Sequence, residues 1–139
     1  MSFGEIYQIA GAGMHAQSVR LNTVASNLAN AGAAAETQDS AYRALKPVFS
    51  TIYNQTQAGE VSGAQVEVAA IVETDAPLDM RYEPDHPFAD DQGYVAYSNV
   101  NTVEEMADMM AASRSFETNV EVMNQARSMQ QGLLQLGAK

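Results

Sequence analysis

The stretch LNTVASNLANAG, residues 21–32, decides how the rest of this chain is read. It carries no ionised side chain, and Asn22, Asn27 and Asn30 interrupt a helical row of Leu21, Val24, Ala25 and Leu28. A helix facing water usually shows Lys and Glu on its outer side, whereas one packed all round by protein needs none. Small residues permit close backbone approach, and asparagines across an interface fix register. The stretch therefore predicts a helix enclosed by copies of itself or by relatives.

Working outward, the helix is predicted over 3–31. Ser2 and Glu5 form an S-x-x-E capping box, in which each side chain satisfies an orphan backbone donor. Met14, Gln17, Leu21, Val24, Leu28 and Ala31 step by three and four, a heptad-like seam, and Gly32 is the expected C′ residue. Gly11 and Gly13 weaken the first half by about 1 kcal/mol each relative to Ala, so that half is expected to order only when packed.

The C-terminal part predicts a second helix. Thr102 with Glu105 reads as another capping box, and Glu104, Glu105 and Asp108 place negative charge at the positive end of the helix dipole. Met106, Met109, Ser113, Phe116, Val120 and Met123 form a stripe that shifts phase and continues through Ala126, Met129, Leu133 and Leu136 to Gly137. Some 35 residues at 1.5 Å each give about 50 Å, longer than a chain of this size needs for one globule of about 30–40 Å. Further apolar residues, Ile6, Ile9, Val19, Ala107, Met110, Val122 and Leu134, lie off these stripes and would be exposed patches on a monomer.

Between the helices the character changes. AQVEVAAIVE (64–73) and GYVAYSNV (93–100) contain period-2 runs of β-branched and aromatic residues, and YRALKPVFSTIY (42–53) offers another extended segment. Residues 32–41 and 54–63 read as loops, with Pro77, Pro84 and Pro87 as breaks. The predicted fold is mainly α with a small β insert: long N- and C-terminal helices packed as a coiled coil around a central β-hairpin segment. The expected division is 1–35, a terminal helix; 36–100, a central acidic segment; and 101–139, the second terminal helix.

The chain has 139 residues and a formal charge of −10. That charge is uneven. Residues 1–50 hold three acids and three bases, 51–100 hold nine acids against Arg81 alone, and 101–139 hold five acids and three bases. Such acidity argues against nucleic acid, which requires a basic stripe. No basic amphipathic face suits an anionic membrane, and no apolar run nears the ~20 residues of a bilayer span. The chain has no cysteine, which removes disulfides and thiolate metal sites. The N-terminus has no signal-peptide pattern.

At these residues a resemblance emerges. LNTVASNLANA resembles the N-terminal signature of the bacterial flagellar axial proteins, the rod and hook family. NVNTVEEMADMMAASRSFETNVEVMNQARSMQQGLLQLGAK is similar to that family's C-terminal helix, and YRALKPVF and YEPDHPFADDQGYVAYSNVN look like its short proximal-rod members. The resemblance implies a structural subunit of the proximal rod that assembles helically through its terminal helices, transmits torque, faces its middle segment outward, and is exported through the flagellar type III apparatus without a cleaved signal. Its implied partners are other rod proteins, copies of itself and that export apparatus; its implied place is the basal-body rod crossing the periplasm. It implies no enzyme, no cofactor, and no catalytic or metal residue.

Residue by residue, the family's motifs fall on Leu21, Asn22, Ala25, Ser26, Asn27, Leu28, Ala29 and Asn30, then on Asn99, Val100, Asn101, Val103, Glu105, Met106, Ser113, Arg114, Phe116, Asn119, Leu134 and Gly137. Together with the stripes, the expected subunit interface is Leu21, Asn22, Val24, Ala25, Asn27, Leu28, Asn30, Val103, Met106, Met109, Ser113, Arg114, Phe116, Asn119, Val120, Met123, Leu133, Leu134 and Leu136. Ser98 stands where proline is common and Phe116 where tyrosine is common. Arg114, in a nearly uncharged helix segment, is expected to fork onto a neighbour's carboxylate or carbonyls.

Other residues were weighed for chemistry. Glu83, Asp85, His86, Asp90 and Asp91 offer metal-ligand types, but their spacing fits no EF-hand loop, and Pro84 and Pro87 favour a stiff turn with solvated charges. His15 has no ligand partner nearby, Ser26 has no nucleophile elbow, and GAG at 11–13 has no phosphate-loop Lys. The methionines read as adaptable packing groups. Two rival functions remain: a coiled-coil adaptor or other type III secreted protein using the same helices, and a small metal-dependent enzyme using 83–91.

Overall fold

A computed structural model of the chain describes residues 2–55 and 61–137, with the side chains of 54, 55, 61 and 62 left aside. Its elements are α1 (Phe3–Ala29), β1 (Ala34–Ala35), β2 (Leu45–Gln55), β3 (Val61–Glu73), β4 (Asp79–Tyr82), β5 (Tyr94–Tyr97) and α2 (Thr102–Gly137). Two long helices thus flank small antiparallel sheets, as the hydrophobic periods predict.

Helix α1 starts at the expected capping box, with the Ser2 and Glu5 side chains each bound to the other's backbone N–H. It ends two residues earlier than expected, because the Asn30 side chain returns to the Ser26 carbonyl at 2.8 Å. The left-handed residue is Gly32, at φ +76°, one position beyond C′. Helix α2 begins differently from the prediction. Its cap is Asn101, whose Oδ1 accepts the Val103 N–H at 3.1 Å. Glu105 does not close a box with Thr102; its carboxylate turns inward to Asn27 and Lys46.

Strands β2 and β3 form a long antiparallel hairpin, Leu45 opposite Glu73 and Asn54 opposite Gly63, with irregularities at Val48/Phe49 and Asn54/Gln55. Pro47 is tolerated because a two-stranded sheet has only edges. Of the loop expected at 54–63, residues 56–60 lie outside the described residues; the strands reach Gln55 and resume at Val61. The second sheet has the order β1-β5-β4, with buried Val95 and Ala96 on its central strand. Sequence reading places β5 correctly and misses β1 and β4: the first is two alanines, and the second, DMRY, is four exposed residues between prolines.

The helices run antiparallel. Asn27 meets Glu105 and Gly13 meets Asn119, two contacts that share one register. Arg20, at the same heptad position as Gly13 and Asn27, reaches Asp108. The face of α2 turned inward follows Glu105, Met109, Ala112, Phe116, Asn119, Met123 and Ala126, all buried or half-buried. This corrects the expected seam. Met109, Phe116, Met123 and Ala126 belong to it, but Met106 (56% exposed) and Val120 (37%) do not. On α1 the contacts at 13, 20 and 27 sit one residue before the expected 14, 21 and 28. The closest line of contact on α1 is taken by Gly13, Arg20 and Asn27, while α2 supplies the bulkier apolar side chains of the seam, Met109, Phe116 and Met123.

The other side of α1 carries the hairpin. Val19, Asn22, Thr23 and Ser26 share a groove with Leu45 and Ile71, and near the far end Gly63 comes up against Ile9. The buried apolar residues are mostly small: Ala10, Ala16, Ala41, Ala44, Ala96, Ala112 and Ala126, with Val24 and Val95. The two largest side chains that are fully buried are Val95 and Asn27.

The two early glycines differ. A Cβ on Gly13 would sit 3.0 Å from the Asn119 amide, whereas one on Gly11 meets nothing within 4 Å. Gly11→Ala is therefore expected to stabilise the chain by about 0.5–1 kcal/mol through helix propensity alone. Gly13→Ala should fall short of that by about 1 kcal/mol or more, since Asn119 must yield its packing. Thermal unfolding followed by circular dichroism compares the two.

Candidate assembly surfaces

Asn27 is the polar centre of the molecule. Its side chain is completely buried, yet all of its hydrogen-bonding groups are used. Its Nδ2 donates to the Leu45 carbonyl at 2.8 Å and to Glu105 Oε2 at 3.0 Å. Its Oδ1 accepts the Leu45 N–H at 2.8 Å and the Tyr42 hydroxyl at 3.0 Å. One amide thereby joins α1, the start of β2 and the first turn of α2. No aliphatic side chain of this size could satisfy these buried groups.

Glu105, 2% exposed, continues the network: its Oε1 takes the Lys46 ammonium at 2.9 Å. Lys46 also lies 3.5 Å from Glu104 and 3.6 Å from Asp108, and Arg20 reaches Asp108 at 2.7 Å. Partial burial lowers the Lys46 pKa, but the hydrogen bond and charge of Glu105, with the charges of Glu104 and Asp108, outweigh it, so the net shift is upward from 10.5.

A second asparagine works in the same way. Asn99 Oδ1 accepts the Ala44 N–H at 2.7 Å, and its Nδ2 donates to the Ala76 carbonyl at 2.9 Å, tying the end of β5 to the hairpin's base. Beside it, Ser98 is buried. Its N–H donates to the Ala33 carbonyl and its Oγ accepts the Gly32 N–H, each near 3 Å. Serine at this position thus supplies two bonds that proline cannot make.

The sequence-predicted interface residues divide between these inner contacts and open surface. Asn27 and Val24 are buried within the chain; Leu21, Leu28 and Asn30 are half-buried; Asn22 and Ala25 are exposed. On α2, Met109, Ser113, Phe116, Asn119 and Met123 are half-buried, with Asn119 against Gly13. Val103, Met106, Arg114, Val120, Leu133, Leu134 and Leu136 face solvent. Arg114 is exposed and makes no ion pair among the described residues. Sequence reading missed Lys46, Tyr42 and Arg20, whose roles depend on elements brought together by the fold; an uncharged helix holding a lone Arg20 was the available signal.

Residues 83–91 are used for local structure. Glu83 accepts the Tyr97 hydroxyl at 2.9 Å, a bond that, with some burial, raises the phenol's pKa. Asp90 Oδ1 accepts the Gln92 and Tyr94 N–H groups, and His86 Nδ1 accepts the Phe88 N–H. Among the described residues no three acidic or histidine side chains converge as metal ligands, and no helix is long and apolar enough to cross a membrane.

Comparison with known proteins defines the class first. Residues 8–32 match the family model "Flagella basal body rod protein", and residues 91–136 match "Flagellar basal body rod FlgEFG protein C-terminal". These two regions hold α1's asparagine stretch and nearly all of α2. Relatives specify the member. The chain is 43% identical to the flagellar basal-body rod protein FlgC of Salmonella typhimurium and 44% identical to that of Escherichia coli O157:H7, covering 99% of each protein. It is 34% identical to the FlgC of Borreliella burgdorferi over 87% of this chain and 88% of that one. The chain belongs to the FlgC family of flagellar basal-body rod proteins.

Two predictions follow from the polar centre. Asn27→Ala strands the Leu45 backbone groups, the Tyr42 hydroxyl and Glu105 together, and should cost about 2–4 kcal/mol, read as a lowered thermal midpoint. The raised Lys46 pKa gives stability that is complete below 10.5 and is lost as pH rises through the folded-state value. Because Lys46 is about a third exposed, the loss should be at most about 1 kcal/mol. Lys46→Gln should flatten that part of the alkaline midpoint curve relative to wild type.

Proposed function

We propose that this chain is a structural subunit of the proximal flagellar rod, assembling helically with copies of itself and other rod proteins through α1 and α2 and transmitting torque along the stack. The observation that carries this reading is an inversion of size. The buried apolar residues are seven alanines and two valines, while Val103, Met106, Met110, Val120, Met129, Leu133, Leu134 and Leu136 stand exposed along α2. A monomer that leaves such a row in water is built to cover it with protein. Family membership supports a rod component over an enzyme or a free adaptor, and the local hydrogen bonds of 83–91 give the metal-enzyme reading no support.

In this proposal α1 and α2 form the inner, coiled-coil-like layer, residues 1–35 and 101–139 being the assembling parts and 36–100 the outward segment. The net −8 of residues 51–100 suits a face that does not meet its own kind. Export through the flagellar type III apparatus fits a chain whose apolar core, mostly alanine, makes unfolding inexpensive. The nineteen expected interface residues fall into two groups here: those at the α1–α2 contact set the subunit's shape, and the exposed ones meet neighbours.

The test is a pair of substitutions on the outward stripe. Met106→Asp and Val120→Asp together should leave the isolated chain's helicity and thermal midpoint nearly unchanged, because both side chains are already exposed. The same variant should fail to enter isolated basal bodies and abolish swimming. Normal incorporation and motility would remove the reading.

A further inference from the structure

The sheet β1-β5-β4 has two unlike faces. Residues opposed across antiparallel strands point the same way. Arg81 opposes Val95 and Asp79 opposes Tyr97, so these four share one face. There the Arg81 guanidinium holds Asp79 at 2.8 Å and lies 4.4 Å from the centre of the Tyr97 ring. Met80 opposes Ala96 on the other face, with Tyr82 opposite Tyr94 beside them. This second face floors a cavity of about 240 Å³. Met80, Tyr94 and Ala96 form its base, Glu36 borders it just beyond β1, and Phe88 and Asp90 come from the loop before β5. Met80, Phe88 and Tyr94 are 37%, 42% and 41% exposed, so the base offers open apolar surface. No Lys or Arg lines the cavity. Arg81, the single base of residues 51–100, is engaged on the opposite face.

The cavity's carboxylates are not spent on the fold. Asp90 is held in place: its Oδ1 accepts the Gln92 and Tyr94 N–H groups at 2.9 and 2.8 Å, and its own N–H donates to the Tyr94 carbonyl at 2.9 Å. Among the described residues, its Oδ2 and the Glu36 carboxylate have no hydrogen-bond partner. Two anionic groups above aromatic rings and a thioether, with no cation between them, complement one kind of group: a cation on an apolar stem. The stem lies along Met80 while its charged end stays at the rim, and the faces of Phe88 and Tyr94 attract the same charge. A guanidinium suits this better than an ammonium, because it is planar, stacks on rings and forks onto carboxylates. We infer that this cavity receives an arginine side chain presented by an exposed segment of another protein. A second copy is a poor occupant, since it would bring a net −10 against −10. Neither α1 nor α2 lines the cavity, so the inference stands apart from the rod reading.

The test titrates the isotope-labelled full-length chain with N-acetyl-arginine N-methylamide and follows its backbone amides by NMR. The amides of Thr37, Phe88, Tyr94 and Ala96 should shift and saturate, with a midpoint of about 1–10 mM. The uncharged citrulline analogue should bind about tenfold more weakly or worse. Glu36→Gln/Asp90→Asn should show the same loss for the arginine probe, because it removes both charges and keeps an acceptor oxygen at 90. Both side chains are exposed, so its thermal midpoint should hold; if it does not, Glu36→Gln alone carries the comparison. Absent or misplaced saturation, equal binding of the citrulline analogue, or undiminished binding by the variant overturns the inference. The macromolecular source is then read in flagellated cells, with photoreactive p-benzoylphenylalanine in place of Gln38 at the cavity's rim. The expected cross-link joins another protein beside an arginine and is lost when that arginine is changed to Ala. A cross-link to a second copy, to a segment without arginine, or to nothing overturns the inference. Presence of the chain in basal bodies judges the rod reading separately, whichever way these results fall.

Discussion

The Asn27 amide is the interaction on which the rest of this structure depends. It lies where α1, β2 and α2 converge, and each of its bonds goes to a different part of the chain or to a different atom of the same junction. Buried amides are costly when unpaired and specific when fully paired. Here the pairing is complete, so the amide accepts only one arrangement of its neighbours. Leu45 must present both its N–H and its carbonyl, which fixes where the hairpin begins. Glu105 must point inward, which makes Asn101 the cap of α2 in its place. From that junction the antiparallel register of the helices follows, and with it the meeting of Gly13 with Asn119 two heptads away.

A helix pair locked by polar groups and small residues has an energetic consequence. Burying alanine removes far less apolar area from water than burying leucine or methionine does. The α1–α2 contact is therefore a matter of close approach and exact pairing more than of hydrophobic gain. Beside Met109, Phe116 and Met123 of the seam, other large apolar residues lie outward, Met106 and Leu134 on α2 and Val48, Phe49, Ile52 and Ile71 on the hairpin.

Much of this was legible in the sequence. The two helices, the Ser2–Glu5 box and extended segments at 42–53, 64–73 and 93–100, which overlap β2, β3 and β5, follow from period and capping alone. What period could not give is which stripe faces which partner. A hydrophobic stripe marks where apolar surface must be covered; it does not say whether the cover comes from the same chain. At 106 and 120 the cover is not the partner helix, and the seam runs one residue earlier through Glu105, Ala112 and Asn119, residues that carry little hydrophobic signal. Strands β1 and β4 were illegible for a related reason. Two alanines and an exposed DMRY gain their strand character by pairing with β5, a contact remote in sequence. The asparagines of residues 21–32 drew attention correctly, but Asn27 turned out to bond within the chain rather than across an interface.

The same distribution bears on how the chain's stability would respond to the proposed assembly. Whatever binds the folded form and not the unfolded one adds its binding free energy to stability. A subunit whose own apolar core is mostly alanine contributes little to that sum by itself, so in the proposed assembly a cover over the exposed apolar residues of α2 would add to it. The polar junction adds specificity without much strength: it selects one fold from the alternatives, so that neighbours meet a defined surface. Were the leucines of α2 buried within the chain instead, the isolated subunit would gain stability and lose the apolar surface available to a neighbour. In the proposed assembly, burying mainly small residues is therefore one constraint with two effects: it limits what the chain's own core contributes and leaves apolar surface for a neighbour.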